Sequence, residues 1–378
     1  MVILDAECRS LKRAAIVMRD VIGLEVSTNT IERVATEVGN ELEAAEQSGW
    51  QDVLSGEVPV PTLAIVEFDG GRIRTRKTGC GPGVHLENKG WSESKNAIIV
   101  SATSKPSEVD PQPDPPPCFL NRDHVAKLTE HAKTKEKQGG NDRLADDLRV
   151  EEGDSSRGTD AAHKPKRLLR TVIASMKSSQ KFGHQMKREA KRRRFDEATR
   201  RAFVADGLTC NWTIHTQHFK DYVPILDFTH AVSYLFTASL IVFGKTDLAW
   251  EAYQRWMILV WRGRGGEVIE DLRQHQLLIG EPDAETDDDD PRERLRRVIG
   301  YLQNNRKRMK YDQYRRAGLP TTSAWMESAV KEINYRIKGT EMFWNNPDGA
   351  EAILQIRAAA LCDDDRLVRA MTSRPGQA

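Results

Sequence analysis

Residues 301–344, YLQNNRKRMKYDQYRRAGLPTTSAWMESAVKEINYRIKGTEMFW, decide how the rest of the chain is read. Gly318-Leu319-Pro320 divides them into two helices, because proline forbids continuation and glycine frees the backbone to turn. From Ser323 to Lys338 the apolar residues Met326, Ala329, Val330, Ile333 and Ile337 recur at helical spacing, so one face packs on a core. Gly339 is the expected stop. Glu327 falls in the first turn, on the stripe that holds Lys331, Asn334 and Lys338, at the edge of the buried face. An acid there either complements the helix dipole or binds something.

Working outward, the chain supplies that acid with partners. TLAIVEFD, Thr62–Asp69, reads as a strand, turned back through Gly70-Gly71 into a hairpin with Arg72–Arg76. NAIIVSA, Asn96–Ala102, supplies a third strand and completes an antiparallel meander. AFVAD, Ala202–Asp206, is a short buried strand ending in an acid, and YVPILD, Tyr222–Asp227, leads through another into a helix from Thr229 to Phe243. This order describes an α/β sheet with three antiparallel strands and later parallel ones. If the first and fourth strands are neighbours, Asp69 and Asp206 converge, and a helix packed across the sheet brings Glu327 to the same point. Three carboxylates at one edge repel unless cations neutralise them, which hard divalent ions with oxygen ligands do. Such a site suits two-metal phosphodiester chemistry, with ions roughly 3.5–4 Å apart. Singly, Asp69-Gly70 and Asp206-Gly207 read equally well as turn dipeptides. There is no Ser-His-Asp arrangement, and the loop Gly79–Gly83 lacks the G-K-[ST] of a phosphate-binding loop.

Charge is near balance over the 378 residues but strongly segregated. Lys164–Arg201 holds 14 Lys/Arg against three acids and Arg292–Arg316 ten against two, densities that point to a polyanion or to solvated helix faces. Glu281–Asp290, with seven acids, would repel a polyanion. Five dispersed cysteines without a C-x-x-C pair argue against a disulfide framework or a structural zinc, as in a reducing cytoplasm. No apolar run approaches the ~20 residues of a membrane span, and the charged start MVILDAECRSLKRA lacks a signal-peptide core. The expectation is a soluble, cytoplasmic, nucleoid-associated protein.

The N-terminal region reads as short helices, the second capped by Asn29 with Glu32 and running to about Ala45, a pair that is either a DNA-reading helix-turn-helix or plain packing. The segment 105–117, with PQPDPPP, is an extended linker, a helix follows from Asn121 to about Lys137, and 139–164 is polar and Gly/Ser/Asp-rich. Pro165–Arg194 reads as a basic helix. From Thr246 to Asn304 all is helical, with Asp290-Pro291 starting its last member. A final helix, Pro347–Leu361, precedes a polar tail expected to fray.

The segments VEFDGGRIRTR, FVADGLTCNW, ILDFTHA and, above all, PTTSAWMESAVKEINYRIKGTEMFW make the chain resemble the DDE transposases of bacterial insertion sequences, in their Kra-type branch. Spread over residues 60–345, the resemblance implies an RNase H-like core, a mixed five-stranded sheet flanked by helices, with an all-helical insertion between the second Asp and the Glu. It implies Asp69, Asp206 and Glu327 as catalytic metal ligands for two Mg²⁺, with Mn²⁺ able to substitute. Asp227 is a competing second ligand; with His230 it matches a separate signature, in which His230 holds the transferred strand, supports Asp227, or merely caps its helix. Lys331 and Arg336 on the Glu327 helix, with Arg306, Arg308, Arg315 and Arg316, are the expected DNA-binding residues, unless they are solvated helix surface.

On this reading 1–58 is a helical, partly DNA-binding region, 59–104 and 165–235 the two parts of the core, and 105–164 a Pro-rich insertion. Residues 236–318 are the helical insertion, 319–345 the Glu helix, and 346–378 a C-terminal helix and tail. Related enzymes carry a fuller DNA-binding region before the first strand, so a shortened N-terminus is part of the expectation. The implied partner is double-stranded DNA, both element ends and target, engaged by a homo-oligomer without any membrane. The alternative is a catalytically inactive DNA-binding derivative.

Overall fold

The computed structural model describes residues 1–51, 53–54, 56–75, 91–138, 162–338, 344 and 347–374. The Gly79–Gly83 loop, Arg76, most of the polar segment 139–164 and the Gly339 stop lie outside the described residues. Five strands, β1 (Leu63–Arg74), β2 (Trp91–Thr103), β3 (Lys166–Ser175), β4 (Arg200–Ala205) and β5 (Val223–Leu226), form one open mixed sheet in the order β3-β2-β1-β4-β5. β2 is antiparallel to β1 and β3, whereas β1, β4 and β5 run parallel.

The strand faces follow from the twofold alternation of side chains. Phe68 meets Phe182 of α5 (Ser179–Arg192), and Phe203 meets Trp212 of α6 (Thr209–His218), so these helices cover one face. Glu67, Asp69 and Gly71 point to the other, where α12 (Ala324–Ile337) packs on β1 and β2 and α13 (Pro347–Ala360) on β3. The N-terminal helices α1 (Val2–Glu7), α2 (Leu11–Val17) and α3 (Thr28–Gln47) belong to that layer. α3 lies along α13 so closely that a Cβ on Gly39 would sit 2.6 Å from the Ala352 backbone. Its cap is Ser27, which accepts from Thr30 N, rather than Asn29. Buried Val2, Ala35, Val38 and Leu42 share the main hydrophobic core, so this region is packed into the domain.

α4 (Arg122–Gln138) precedes β3. After β5 come α7 (Phe228–Phe243), α8 (Asp247–Trp261), α9 (Gly265–Ile279), α10 (Pro291–Asn305) and α11 (Tyr311–Arg316), a helical layer built around Trp256, Trp261, Tyr253 and Tyr311. Asp290 accepts from Arg292 N with Pro291 in the first turn, as its sequence dictates. Gly318, at φ +64°, makes the expected break before α12.

Three expectations are corrected. β1 does not turn at Gly70-Gly71 but continues to Arg74, paired with β2 throughout. A Cβ at Gly71 would come within 2.8 Å of Ser94 Oγ, so this glycine permits a close approach inside a strand. Pro165–Arg194 is not one helix: its first third is the edge strand β3, and the helix α5 begins only at Ser179. The tail is not frayed, since α14 (Arg366–Thr372) is held by a buried ionic cluster.

In that cluster Glu189 accepts from Arg192 Nη2 at 2.6 Å and Arg366 Nη2 at 3.0 Å, while Asp364 binds Arg193 and Arg366, each at 2.7 Å. Arg192 and Arg193 of the basic block are therefore neutralised inside the protein. Burial raises the Glu189 carboxyl, but Arg366, Arg192 and Arg193 outweigh it and hold the group well below the carboxylate range. A carboxyl depressed by folding contributes stability above its unfolded value of about 4.5 and loses it as pH falls below that. Glu189→Gln is expected to cost about 3–5 kcal/mol at pH 7 by stranding buried guanidinia. Urea midpoints taken from pH 7 to pH 3 should show the gap from wild type closing below pH 4.5; a constant gap would contradict the assignment.

Candidate active site

Parallel pairing aligns Phe68 with Ala205, and Ala205 with Leu226. One residue further on stand Asp69, Asp206 and Asp227, in a row across three adjacent strands where their parallel pairing ends; β4 and β5 stop there, whereas β1 continues to Arg74, so Asp69 lies inside its strand and not at its end as expected. Asp69 is 8 % exposed and lies across from Asn96 on β2. Neither Asp69-Gly70 nor Asp206-Gly207 is a hairpin turn: the first lies within a strand, and the second joins β4 to α6.

Asp206 is half-buried, and its Oδ1 accepts from Leu208 N at 2.9 Å and Asn211 Nδ2 at 2.5 Å, which orients the carboxylate from the start of α6. The next residue cannot carry a side chain, because a Cβ on Gly207 would lie 2.0 Å from the Tyr301 ring. Tyr301 stacks on Tyr234 with centroids 3.6 Å apart, so the helical layer bears directly on the Asp206 loop. Burial, then the neighbouring Tyr234 and Asp206, push the Tyr301 phenol well up, keeping it neutral.

Asp227 has a different character. It is fully buried, and its oxygens receive Thr229 N (3.0 Å), Ser323 N (3.4 Å), Ser323 Oγ (2.8 Å) and His230 Nδ1 (3.0 Å). Burial alone would raise this carboxyl; the bond and charge of His230, with Ser323 and Thr229, hold it below the usual range. Asp227 thus ties β5, the first turn of α7 and the entry to α12 together, and His230 contacts Asp227.

Glu327 sits half-buried in the first turn of α12, with Lys331 one turn on. The preceding residue makes the contact that sequence reading missed: Met326 N donates to Glu67 Oε2 at 2.8 Å. Glu67 is 1 % exposed, two positions before Asp69 on the same strand face. Burial, and then the charges of Asp227 and Glu327 against the Met326 amide, push its carboxyl well up. It borders a cavity of about 50 Å³ shared with Thr321, Thr322 and Trp325. The signal was present in LAIVEFD, where Glu67 is the one charged residue of an otherwise apolar run before Asp69.

The cations divide sharply. Arg336 is fully buried, with Nη2 on both oxygens of Asp5, so it is a structural residue and is not exposed to DNA. Arg315, 4 % exposed, is ion-paired to Asp110 and stacked on Trp261 at 4.0 Å, and is likewise structural. Arg316 pairs with Asp312 at 2.7 Å. Arg308 lies 4.2 Å over the Trp212 ring on the side of α6 and donates to neutral acceptors, Asn304 O and Asn305 Oδ1. Arg306 is exposed near Gly266, with Lys307 and Lys310 also at the surface.

Strand register sets Asp69, Asp206 and Asp227 in one row, but among the described residues no three His, Cys, Asp or Glu side chains form a group able to hold a metal ion as they stand. No helix among the described residues is long and apolar enough to cross a membrane. Of the cysteines, Cys8, Cys118, Cys210 and Cys362 are free thiols.

No protein-family model matches the chain, and no curated protein matches it.

Proposed function

We propose that the chain is a DNA transposase of the DDE class, built on an RNase H-like core. The observation that carries this reading is the alignment of Asp69 and Asp206 on neighbouring parallel strands, one residue beyond their last paired positions, with the Glu327 helix packed on β1 and β2. The strand order β3-β2-β1-β4-β5, antiparallel on one side of β1 and parallel on the other, is compatible with such a core.

The donor set fits hard divalent cations, since Asp69, Asp206 and Glu327 offer only carboxylate oxygens. These three would hold two Mg²⁺ or Mn²⁺ ions. Bound there, such ions would supply charge neutralisation and Lewis acidity. The protein's own part is orientation: Leu208 N and Asn211 aim Asp206, and α12 carries Glu327 and Lys331 on one stripe. Asp227 serves the scaffold and Asp206 the chemistry. DNA phosphates are the intended partners of Lys331, Arg306, Arg308 and Arg316, and two element ends require at least two copies of the chain.

An assay with Mg²⁺, an oligonucleotide bearing a free 3′-hydroxyl end and a target plasmid tests the reading. Joined product is expected, with DNA affinity falling by about 10³-fold or more between 50 and 200 mM salt if some six phosphates are contacted. Strong DNA binding with neither cutting nor joining would identify a non-catalytic DNA-binding protein instead.

A further inference from the structure

α12 starts without a cap of its own. Ser323 occupies the N-cap position, but its side chain receives no hydrogen bond from the helix, and its hydroxyl is donated to Asp227 Oδ2. The Met326 amide would thus be one of the orphan donors of a helix start, in a place without water. Glu67 Oε2 takes it at 2.8 Å, from a strand 259 positions away in sequence. Asp227, at the end of β5, takes the Ser323 amide and hydroxyl. Both anchors of the first turn are therefore buried acids supplied by the sheet. A buried carboxyl is costly, and an apolar residue would satisfy packing alone.

We propose that Glu67 is a positioning residue for Glu327, a cap supplied across the fold that sets the height and rotation of the first turn of α12. Met326 and Glu327 are consecutive, so the bond to one fixes the backbone of the other. Glu67 and Asp69 share a strand and a face, so the same bond sets the third acid against the first. The inference rests on the role proposed for Glu327. A cap needs an acceptor oxygen, which glutamine keeps; a metal ligand needs the negative charge, which glutamine lacks.

The test compares Glu67→Gln and Glu67→Leu with wild type in Mg²⁺-dependent plasmid nicking, in DNA affinity, and in amide hydrogen exchange of the 324–328 segment. Glu67→Gln is expected to nick within about threefold of wild type and to leave exchange unchanged. Glu67→Leu should lose about 10–100-fold in turnover, the scale for a group that orients a ligand, with DNA affinity retained and exchange of that segment about tenfold faster. Glu67→Gln as inactive as Glu327→Gln would overturn the proposal by making Glu67 a ligand. Wild-type exchange in Glu67→Leu would overturn it too, by showing that the bond holds nothing. Should wild type fail to nick, the transposase reading falls, while exchange in the two variants still decides whether Glu67 holds α12.

Discussion

Asp5→Ala is expected to destabilise the protein by about 3–5 kcal/mol, because it leaves a guanidinium buried without its counter-charge. Asp5 and Arg336 are both fully buried, with Nη2 at 3.1 and 3.2 Å from the two carboxylate oxygens and Nε at 3.1 Å from the Asp5 carbonyl. Burial pushes the Asp5 carboxyl up, and the attraction of Arg336 only partly reverses it. The pair is therefore costly to assemble and costlier to break, which suits a device that selects one arrangement rather than one that adds net stability. What it selects is the docking of α1 against the end of α12, with Trp344 beside the guanidinium at 5.7 Å. Asp5→Leu combined with Arg336→Met should recover most of the loss, since removing both charges removes the desolvation penalty. Urea unfolding of the two variants checks this, and a cost below about 1 kcal/mol for Asp5→Ala would contradict it.

The second large effect separates two aspartates one strand apart. Asp206→Asn should melt like wild type, because its remaining carbonyl oxygen still accepts from Leu208 N and Asn211. It should nonetheless lose metal-dependent nicking by roughly a hundredfold or more, since even groups that merely orient ligands are worth 10–100-fold. Asp227→Asn should do the reverse in emphasis. An amide cannot accept from Ser323 Oγ, Ser323 N, Thr229 N and His230 at once, so about 1–3 kcal/mol of stability is lost. Melting and nicking measured side by side distinguish them. If Asp227→Asn is fully stable and inactive while Asp206→Asn is active, the assignment of the two acids is reversed.

What could be read from the sequence depended on whether a residue's reason was local. The apolar period of α12, the break at Gly318 and the Asp290-Pro291 start depend on neighbours in the chain, and all three were legible. The continuation of β1 through Gly70-Gly71 was not, because Gly71 answers to Ser94 and Lys338, which only the fold brings near. β3 was hidden by its charges, since Arg170 is compensated by Glu332 and Asp363, far along the chain. The same long-range pairing took Arg336 and Arg315 out of the DNA-binding set, because a sequence does not show which cations are already spent. For the acids, the strand end at Asp206 and the helix start at Glu327 were legible, whereas Asp69 lies inside β1 and not at its end. Glu67 and the saturation of Asp227 were not legible, since both are defined by what α12 and its entry turn bring to them.

The most direct test of the central claim is the rate of Mg²⁺-dependent nicking of supercoiled plasmid by wild type, Asp69→Asn, Asp206→Asn and Glu327→Gln, with DNA binding measured in parallel. Nicking by wild type is expected, with a loss of roughly a hundredfold or more in each variant and DNA binding retained by all. Nicking by Glu327→Gln at the wild-type rate would contradict it.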